Sequence, residues 1–463
     1  MDDADAVSFG TDGWRATRDE FTLDRVRLVG RAVAAHLDGE ERAGPVAVGY
    51  DARERSREFA EALADVLTAA GRNVRLSDRD CPTPTLAWTV ARDCAGGLVI
   101  TASHNPPEYN GVKFIPADGA PALPSVTEDI EGRLATVAED PPTVPDGETG
   151  TATDVDMVSP YLEHALDFAA ADLSGLSVTY DAMHGSGRGV TDRLLSRAGA
   201  DVTRLRCDRD PQFGGTPPEP VPERTERLIE RVTAGDADLG VVNDGDADRL
   251  GIVTPERGFL DPNVLLAVLY DFLLEDGAGD VVRTVSTSSL VDRVAAAHGQ
   301  AVHETAVGFK WVAEAMADHG ALAGGEESGG FGVTAHLRNK DGVLLALLVA
   351  AAASERPLDA RVDDLFAAHG EVHQDRVSVD CPDDRKPAVL EALESAIGDE
   401  VAGTPVEDVN TVDGFKAALT DGTWLLVRPS GTEPKMRVYA EATSQERVEE
   451  LLTAGRELVA PHV

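Results

Sequence analysis

Three times along this chain a short apolar strand, a helix, a second strand, a second helix and a third apolar strand follow one another. Each third strand then runs into a loop of glycine and polar residues. Such alternation predicts parallel sheets flanked by helices. The first unit has strands at 46–50, 74–76 and 97–100, helices at 54–70 and 85–94, and the loop 101–105. The second has strands at 176–180, 202–205 and 239–242, helices from 190 and over 223–233, and the loop 243–249. The third has strands at 281–285, 301–303 and 321–323, helices from 289 and over 310–318, and the loop 324–330. Open α/β sheets bind ligands at the carboxyl ends of strands, so the three loops are expected to converge on one cleft.

From about residue 369 the pattern changes. Strands at 377–380, 424–427 and 437–440, with helices at 387–396 and 445–458, predict a fourth, α+β domain with its own polar loop at 428–434. The expected architecture is thus three similar mixed α/β domains plus an α+β C-terminal domain around a central cleft. Expected domains are 1–150, 151–254, 255–368 and 369–463, which suits a 463-residue chain at about 150 residues per domain. The acidic, Pro- and Thr-rich stretch 139–156 reads as the link between the first two units. Residues 208–222 form a second Pro/Gly-rich loop.

Charge narrows the function classes. Asp and Glu number 82 against 42 Lys and Arg, a net charge of −40, which repels nucleic acid and anionic membranes. Six of the 42 basic residues are lysine, at 113, 310, 340, 386, 416 and 435. A GC-rich genome accounts for scarce lysine but not for the carboxylate excess. A fold tuned to concentrated salt, as in a halophilic archaeon, accounts for both, because at about 1 M salt the Debye length is roughly 3 Å. The longest apolar run, 343–353, has eleven residues, too few for a membrane span of about twenty, and reads as a buried helix. The acidic N-terminus does not resemble a signal peptide. Cysteines 81, 94, 207 and 381 form no C-x-x-C pair and suit a reducing cytosol, so a cytoplasmic location is expected.

Four loops carry the chemistry. Thr101-Ala102-Ser103-His104-Asn105-Pro106 places a hydroxyl beside an imidazole after a buried strand, which suits a nucleophile or phosphate acceptor. Asp244, Asp246 and Asp248 repel one another unless a hard cation binds them. An EF-hand is excluded, since its sixth and twelfth positions would be Arg249 and Pro255. Magnesium, held by few protein ligands plus a phosphate, fits better. Glu326 and Ser328, set between glycines, can exchange hydrogen bonds with sugar hydroxyls. Arg428, Ser430, Gly431 and Thr432 combine a guanidinium, two hydroxyls and a flexible turn, a nest for phosphate oxygens. Other machinery is missing from the sequence. There is no Gly-Lys dipeptide for a Walker A loop, no H-E-x-x-H and no G-x-S-x-G. Gly185-Ser186-Gly187-Arg188-Gly189 mimics a dinucleotide loop but has Val190 where the last glycine belongs.

Together with Phe9-Gly10-Thr11-Asp12-Gly13-Trp14-Arg15, these four loops, in this order and spacing, resemble the α-D-phosphohexomutase family over nearly the whole chain. The resemblance implies four domains and interconversion of hexose 1-phosphate and hexose 6-phosphate through a phosphoserine, with a hexose 1,6-bisphosphate as intermediate and primer. It implies Ser103 as the phosphoserine and, with Asp244, Asp246 and Asp248, as a Mg²⁺ ligand. It further implies Lys113 as general acid/base, Arg15 as an active-site arginine, and Arg249 as a phosphoryl contact. His104 joins the catalytic set, Lys310, Glu326 and Ser328 hold the sugar phosphate, and the Arg428 loop holds the phosphate that is not transferred. The expected partners are sugar phosphates, not nucleic acid or membrane, and the expected assembly is a monomer or small homo-oligomer.

Two departures bear on the sugar. Many phosphomannomutase and phosphoglucosamine relatives end the sugar loop in His, where this chain has Gly330. The segment Val307-Gly308-Phe309-Lys310-Trp311 resembles phosphoglucomutase-type members, whereas the phosphoglucosamine branch usually carries Gly-Asp-Arg. Glucose is therefore the expected substrate, with phosphomannomutase and phosphoglucosamine mutase as alternatives. Two other classes stay open. A Mg²⁺-dependent sugar phosphatase would release phosphate without isomer, and a sugar-phosphate sensor would leave Ser103 unphosphorylated.

Overall fold

The computed structural model describes residues 3–10, 13–142, 149–431 and 433–463, with the side chains of 394–396 excepted. Among the described residues there are four sheets. In the first, Val46–Tyr50 lies between two parallel neighbours, Val74–Ser77 and Gly96–Ile100. In the second, Ser177–Asp181 lies between Asp201–Leu205 and Leu239–Asn243. In the third, Val281–Thr284 lies between Val302–Thr305 and Ala323–Gly325. The repeated topology is as expected, with the last strand of the third unit shifted two residues on, because Gly320 closes the helix Phe309–His319 in left-handed backbone.

Each unit adds a fourth strand that the periodicity did not reveal. Tyr109–Pro116 runs antiparallel to Gly96–Ile100, Leu250–Thr254 to Leu239–Asn243, and Phe331–Val333 to Ala323–Gly325. The three polar loops are thus tight connections between the third strand and its antiparallel return. That geometry fixes both ends of every chemistry-bearing loop to a sheet. The first sheet gains two more edges, Trp14–Thr17 and Ala152–Val155. The stretch 139–156, expected as a linker, therefore ends in an edge strand of the first unit. Backbone pairing with Val74–Ser77 holds it there although its side chains are mostly exposed. Residues 143–148 of that stretch lie outside the described ones.

The apolar run forms the helix Gly342–Glu355, buried along nearly its whole circumference. It packs between the second and third units, against Val158–Ala169, Thr191–Arg197 and Pro262–Asp276, which explains why it has no polar face. Asp341 caps it by accepting from the amides of Val343 at 3.0 Å and Leu344 at 2.8 Å. No helix among the described residues is long and apolar enough to cross a membrane.

The fourth unit has six antiparallel strands, three more than expected: His373–Asp380, Lys435–Ala442, Trp424–Pro429, Phe415–Leu419, Thr404–Asn410 and Glu400–Val401. It docks on the third unit through an apolar cluster of Val285, Trp424, Leu426 and Tyr439, with Val307 against it. Lys416 Nζ donates to Glu304 Oε2 at 2.6 Å across the same boundary.

Candidate active site

Ser103 is the third residue of the connection after Gly96–Ile100 and is 1% exposed. Its φ of 50° places a non-glycine residue in left-handed backbone, a conformation that persists only where surroundings enforce it. Its amide donates to Thr101 Oγ1 at 2.9 Å. Its hydroxyl donates to Asp244 Oδ2 at 2.7 Å and lies 3.2 Å from His104 Nδ1. Burial, with Arg249, Arg15 and Lys340 nearby, pushes the His104 imidazole well below its usual range, so it is neutral near pH 7.

Asp244, Asp246 and Asp248 leave the second sheet on the equivalent connection and are all buried. One carboxylate oxygen of each lies within 4.8 Å of the others. At an effective dielectric of about 20, such a pair of charges repels by roughly 3 kcal/mol. Cations and donors already surround the outer oxygens. Asp246 Oδ2 accepts from Thr83 Oγ1 at 2.7 Å and from Lys113 Nζ at 3.2 Å. Asp248 Oδ2 faces Lys113 Nζ at 3.3 Å and Lys340 Nζ at 2.9 Å. Asp244 Oδ1 accepts from the Arg249 amide at 3.1 Å. The other oxygens, Asp246 Oδ1 and Asp248 Oδ1, are buried with no hydrogen-bond partner. Buried orphan carboxylate oxygens are expensive, and a hard divalent cation between them supplies what they lack. Burial and repulsion from Asp246 and Asp248 raise the Asp244 carboxyl well above its usual range. Burial acts the same way on Asp246, but Lys113, the Thr83 hydroxyl and Lys340 outweigh it and hold that carboxyl low.

Glycines make the convergence possible. A Cβ on Gly245 would meet the Ser103 carbonyl oxygen at 2.5 Å, and one on Gly185 would meet the Gly245 carbonyl oxygen at 2.8 Å. Ser186 donates to that same carbonyl from its amide at 3.0 Å and from Oγ at 3.1 Å. The dinucleotide-like segment 185–189 is therefore a buttress under the aspartate loop.

The remaining candidates lie as follows. Lys113 sits on the return strand Tyr109–Pro116, which aims it from the first unit into the second unit's aspartates. Arg15 donates to Asn105 Oδ1 at 2.7 Å, behind the serine loop. Arg249 is near Glu219, with Nη1 to Oε1 4.0 Å apart. Glu326 Oε1 accepts from the Gly308 amide at 2.9 Å, which joins the loop 324–330 to the segment holding Lys310. Burial and Glu327 push its carboxyl up to about 7 although Lys340 opposes them. Lys310 Nζ lies 5.6 Å from the centre of the Trp311 ring, and Ser328 is half-buried. Arg428 Nε donates to Asp413 Oδ2 at 2.9 Å, and that oxygen also accepts the Val307 amide at 3.1 Å. The loop 428–434 is thereby tied to the third unit just before Gly308. Lys386 Nζ holds the same loop through the Ser430 and Glu433 carbonyls at 2.6 and 2.7 Å. Gly431 is exposed, and Thr432 lies outside the described residues, as do Thr11 and Asp12.

Sequence reasoning did not single out Thr83, Lys340 and Lys386, which contact the candidate site residues. The scarcity of lysine was the available signal for two of them. Thr83 had none beyond its place at a helix start, where the Thr83 amide also donates to the Asp246 carbonyl at 2.9 Å.

Comparison with known proteins places the chain in a family. The chain matches the phosphoglucomutase/phosphomannomutase α/β/α domains I, II and III over residues 6–140, 159–258 and 261–369, and the C-terminal domain over 377–457. It is 37% identical to a Methanopyrus kandleri protein named "Probable phosphoglucosamine mutase", covering 96% of this chain and 95% of that one. It is 33% identical to a phosphoglucomutase/phosphomannomutase of Thermococcus kodakarensis, covering 97% and 98%. A crystal structure from Thermus thermophilus, provisionally assigned as a phosphomannomutase, superposes with a TM-score of 0.84 at 32% identity, covering 98% and 99%.

Proposed function

Since the chain belongs to the phosphoglucomutase/phosphomannomutase family and is an isomerase of the phosphosugar mutase kind, we propose that it interconverts the 1- and 6-phosphates of a hexose through a phosphoserine at position 103. The observation that carries this reading is the Ser103 hydroxyl held 2.7 Å from Asp244, inside a buried carboxylate cluster with two orphan oxygens. Neither a structural turn nor a plain sugar-binding site needs that arrangement.

In the proposed reaction, a hydroxyl of the bound sugar phosphate attacks the phosphorus on Ser103. The new O–P bond forms as the Oγ–P bond breaks, giving a hexose 1,6-bisphosphate and the free serine. The bisphosphate turns over, and Ser103 Oγ takes back the other phosphate by the reverse of the same step. One proton moves from the sugar hydroxyl to Oγ in the first step. Lys113, buried against Asp246 and Asp248, is the group proposed to take that proton as its neutral amine and then to give the same proton to Oγ, beside which His104 lies. A magnesium ion held by Asp244, Asp246, Asp248 and a phosphoserine oxygen would offset charge on the transferring group. Arg15 orders the serine loop through Asn105, and Arg249 faces the phosphoryl group. Glu326, Ser328 and Lys310 contact the sugar. Arg428, with Ser430, Gly431 and Thr432, holds the other phosphate.

Glucosamine phosphate is the foremost substrate in this reading. The Methanopyrus relative named for it matches at higher identity than the glucose- and mannose-named relative from Thermococcus. Glu326 and Glu327 also offer carboxyl groups to an amine on the sugar. This displaces the expectation of glucose, which Gly330 and the Gly308-Phe309-Lys310 segment still favour and which stands as the second reading. The test is kcat/KM on glucosamine 1-phosphate, glucose 1-phosphate and mannose 1-phosphate, with Mg²⁺ and a hexose 1,6-bisphosphate primer. Glucosamine 1-phosphate should lead by at least about tenfold, since such a preference needs only about 1.4 kcal/mol. A lead for glucose installs the second reading, and free phosphate without isomer from all three overturns the mutase reading.

A further inference from the structure

Arg53 is 0% exposed and has no part in the reaction just described. A buried guanidinium is costly unless every donor is matched, and here all are. Nε donates to Asp51 Oδ2 at 3.0 Å. Nη1 donates to the carbonyls of Pro106 at 2.7 Å and Tyr109 at 3.1 Å, and Nη2 to those of Ser103 and Asn105, both at 2.7 Å. Five N–H donors thus meet five acceptors. Four of these are main-chain carbonyls, those of Ser103, Asn105 and Pro106 in the loop and that of Tyr109 at the start of the return strand. Asp51 is locked in turn by the Arg53 amide at 3.0 Å and by Ser56 Oγ at 2.7 Å.

A second observation comes from the Pro/Gly-rich loop 208–222 of the second unit, to which no role has yet been assigned. Its Phe213, 1% exposed, lies under the Arg53 guanidinium with the ring centre 4.9 Å away. Arg209 Nη2 donates to the Arg53 carbonyl at 3.4 Å. At its far end the Pro218 carbonyl accepts the Gly245 amide at 3.2 Å. One loop therefore touches both the clamp on the serine loop and the backbone of the aspartate loop.

We propose that Arg53, sealed by Phe213, is a positioning residue for phosphoryl transfer: its fork fixes the carbonyl of the left-handed Ser103 and those of Asn105, Pro106 and Tyr109 after it, and so keeps Oγ on Asp244. The inference rests on the proposed phosphoserine reaction. Lysine cannot replace the clamp, because one ammonium with three donors cannot match four carbonyls and the Asp51 carboxylate.

The test compares wild type, Arg53→Lys and Phe213→Leu. It measures single-turnover transfer of phosphate from a hexose 1,6-bisphosphate to Ser103, calorimetric affinity for the same bisphosphate, and melting temperature. Arg53→Lys should slow transfer at least 100-fold and Phe213→Leu about tenfold, each with affinity within threefold of wild type. A folded Arg53→Lys protein with transfer within threefold of wild type overturns the inference. So does a loss of transfer and affinity in equal measure, which is the mark of a merely structural role. Should Arg53→Lys fail to fold, Phe213→Leu decides by the same criteria. A wild-type protein that takes no phosphate on Ser103 instead overturns the phosphoserine reading itself.

Discussion

Ser103 Oγ donates a 2.7 Å hydrogen bond to Asp244 Oδ2 across 141 residues of sequence. Two units of like topology meet at this contact, each presenting the loop between its third strand and the antiparallel return. Gly245 permits the approach, since any side chain there would strike the Ser103 carbonyl. The Ser103 hydroxyl of one unit and the carboxylates of the next are thus brought together by backbone contact as well as by a hydrogen bond.

The carboxylate cluster should depend on a divalent cation. Saturating Mg²⁺ should raise the melting temperature of the wild type by several degrees, because binding at about 100-fold above Kd stabilises by about 2.7 kcal/mol. Asp246→Asn removes one orphan oxygen's charge and should abolish most of that rise while leaving the protein folded. Equal Mg²⁺-induced shifts in both proteins, measured by scanning calorimetry, would contradict the metal role.

Arg428→Ala should raise KM for sugar phosphates about tenfold to a hundredfold with a smaller change in kcat, since a charge-assisted hydrogen bond contributes roughly 1.5–3 kcal/mol. Steady-state kinetics with the bisphosphate primer checks it. KM and kcat both at wild-type values would remove Arg428 from the phosphate nest.

Glu326 gives the molecule a pH signature. Its carboxyl is at about 7 in the fold against an ordinary value of 4.5. The folded state therefore binds this proton more tightly than the unfolded chain. The stability it confers is complete below about pH 4.5 and is lost as pH rises through 7, a change of about 3 kcal/mol. Denaturation at fixed salt should show wild type falling relative to Glu326→Gln between pH 5 and 7.5. A constant difference across that window would refute the assignment.

Salt should stabilise the protein. The net charge of −40 acts over about 30 Å at 0.01 M ionic strength and about 3 Å at 1 M, so activity and melting temperature should both rise from dilute buffer toward molar KCl. Excess Mg²⁺ should only partly replace KCl. A flat or falling melting temperature would show that the acidic composition is not an adaptation to salt.

What could be read in the sequence was what lies close together in the chain. Ser103 beside His104, and aspartates at 244, 246 and 248, are local patterns whose chemistry declares itself. Val46–Tyr50 and residues 239–242 are uninterrupted runs without a charged or amide side chain, as strands buried on both faces tend to be. The return strands Tyr109–Pro116 and Leu250–Thr254 were missed because each follows a polar loop directly and pairs backward, which periodicity does not encode. Thr83, Lys340 and Arg53 were missed for a related reason. Each acts on a loop distant in sequence, and nothing in its own neighbourhood announces the partner.

The most direct test of the account is the fate of Ser103 itself. The wild-type protein, incubated with Mg²⁺ and a hexose 1,6-bisphosphate, should gain a single phosphate, which peptide mass spectrometry should place on Ser103. Added hexose 1-phosphate should discharge it as bisphosphate at a rate no slower than kcat. Ser103→Ala, folded and still able to bind the bisphosphate, should take up none and lose several orders of magnitude in kcat. Wild-type-like mutase activity in Ser103→Ala, or a phosphate on another residue that turns over at kcat, would contradict the account.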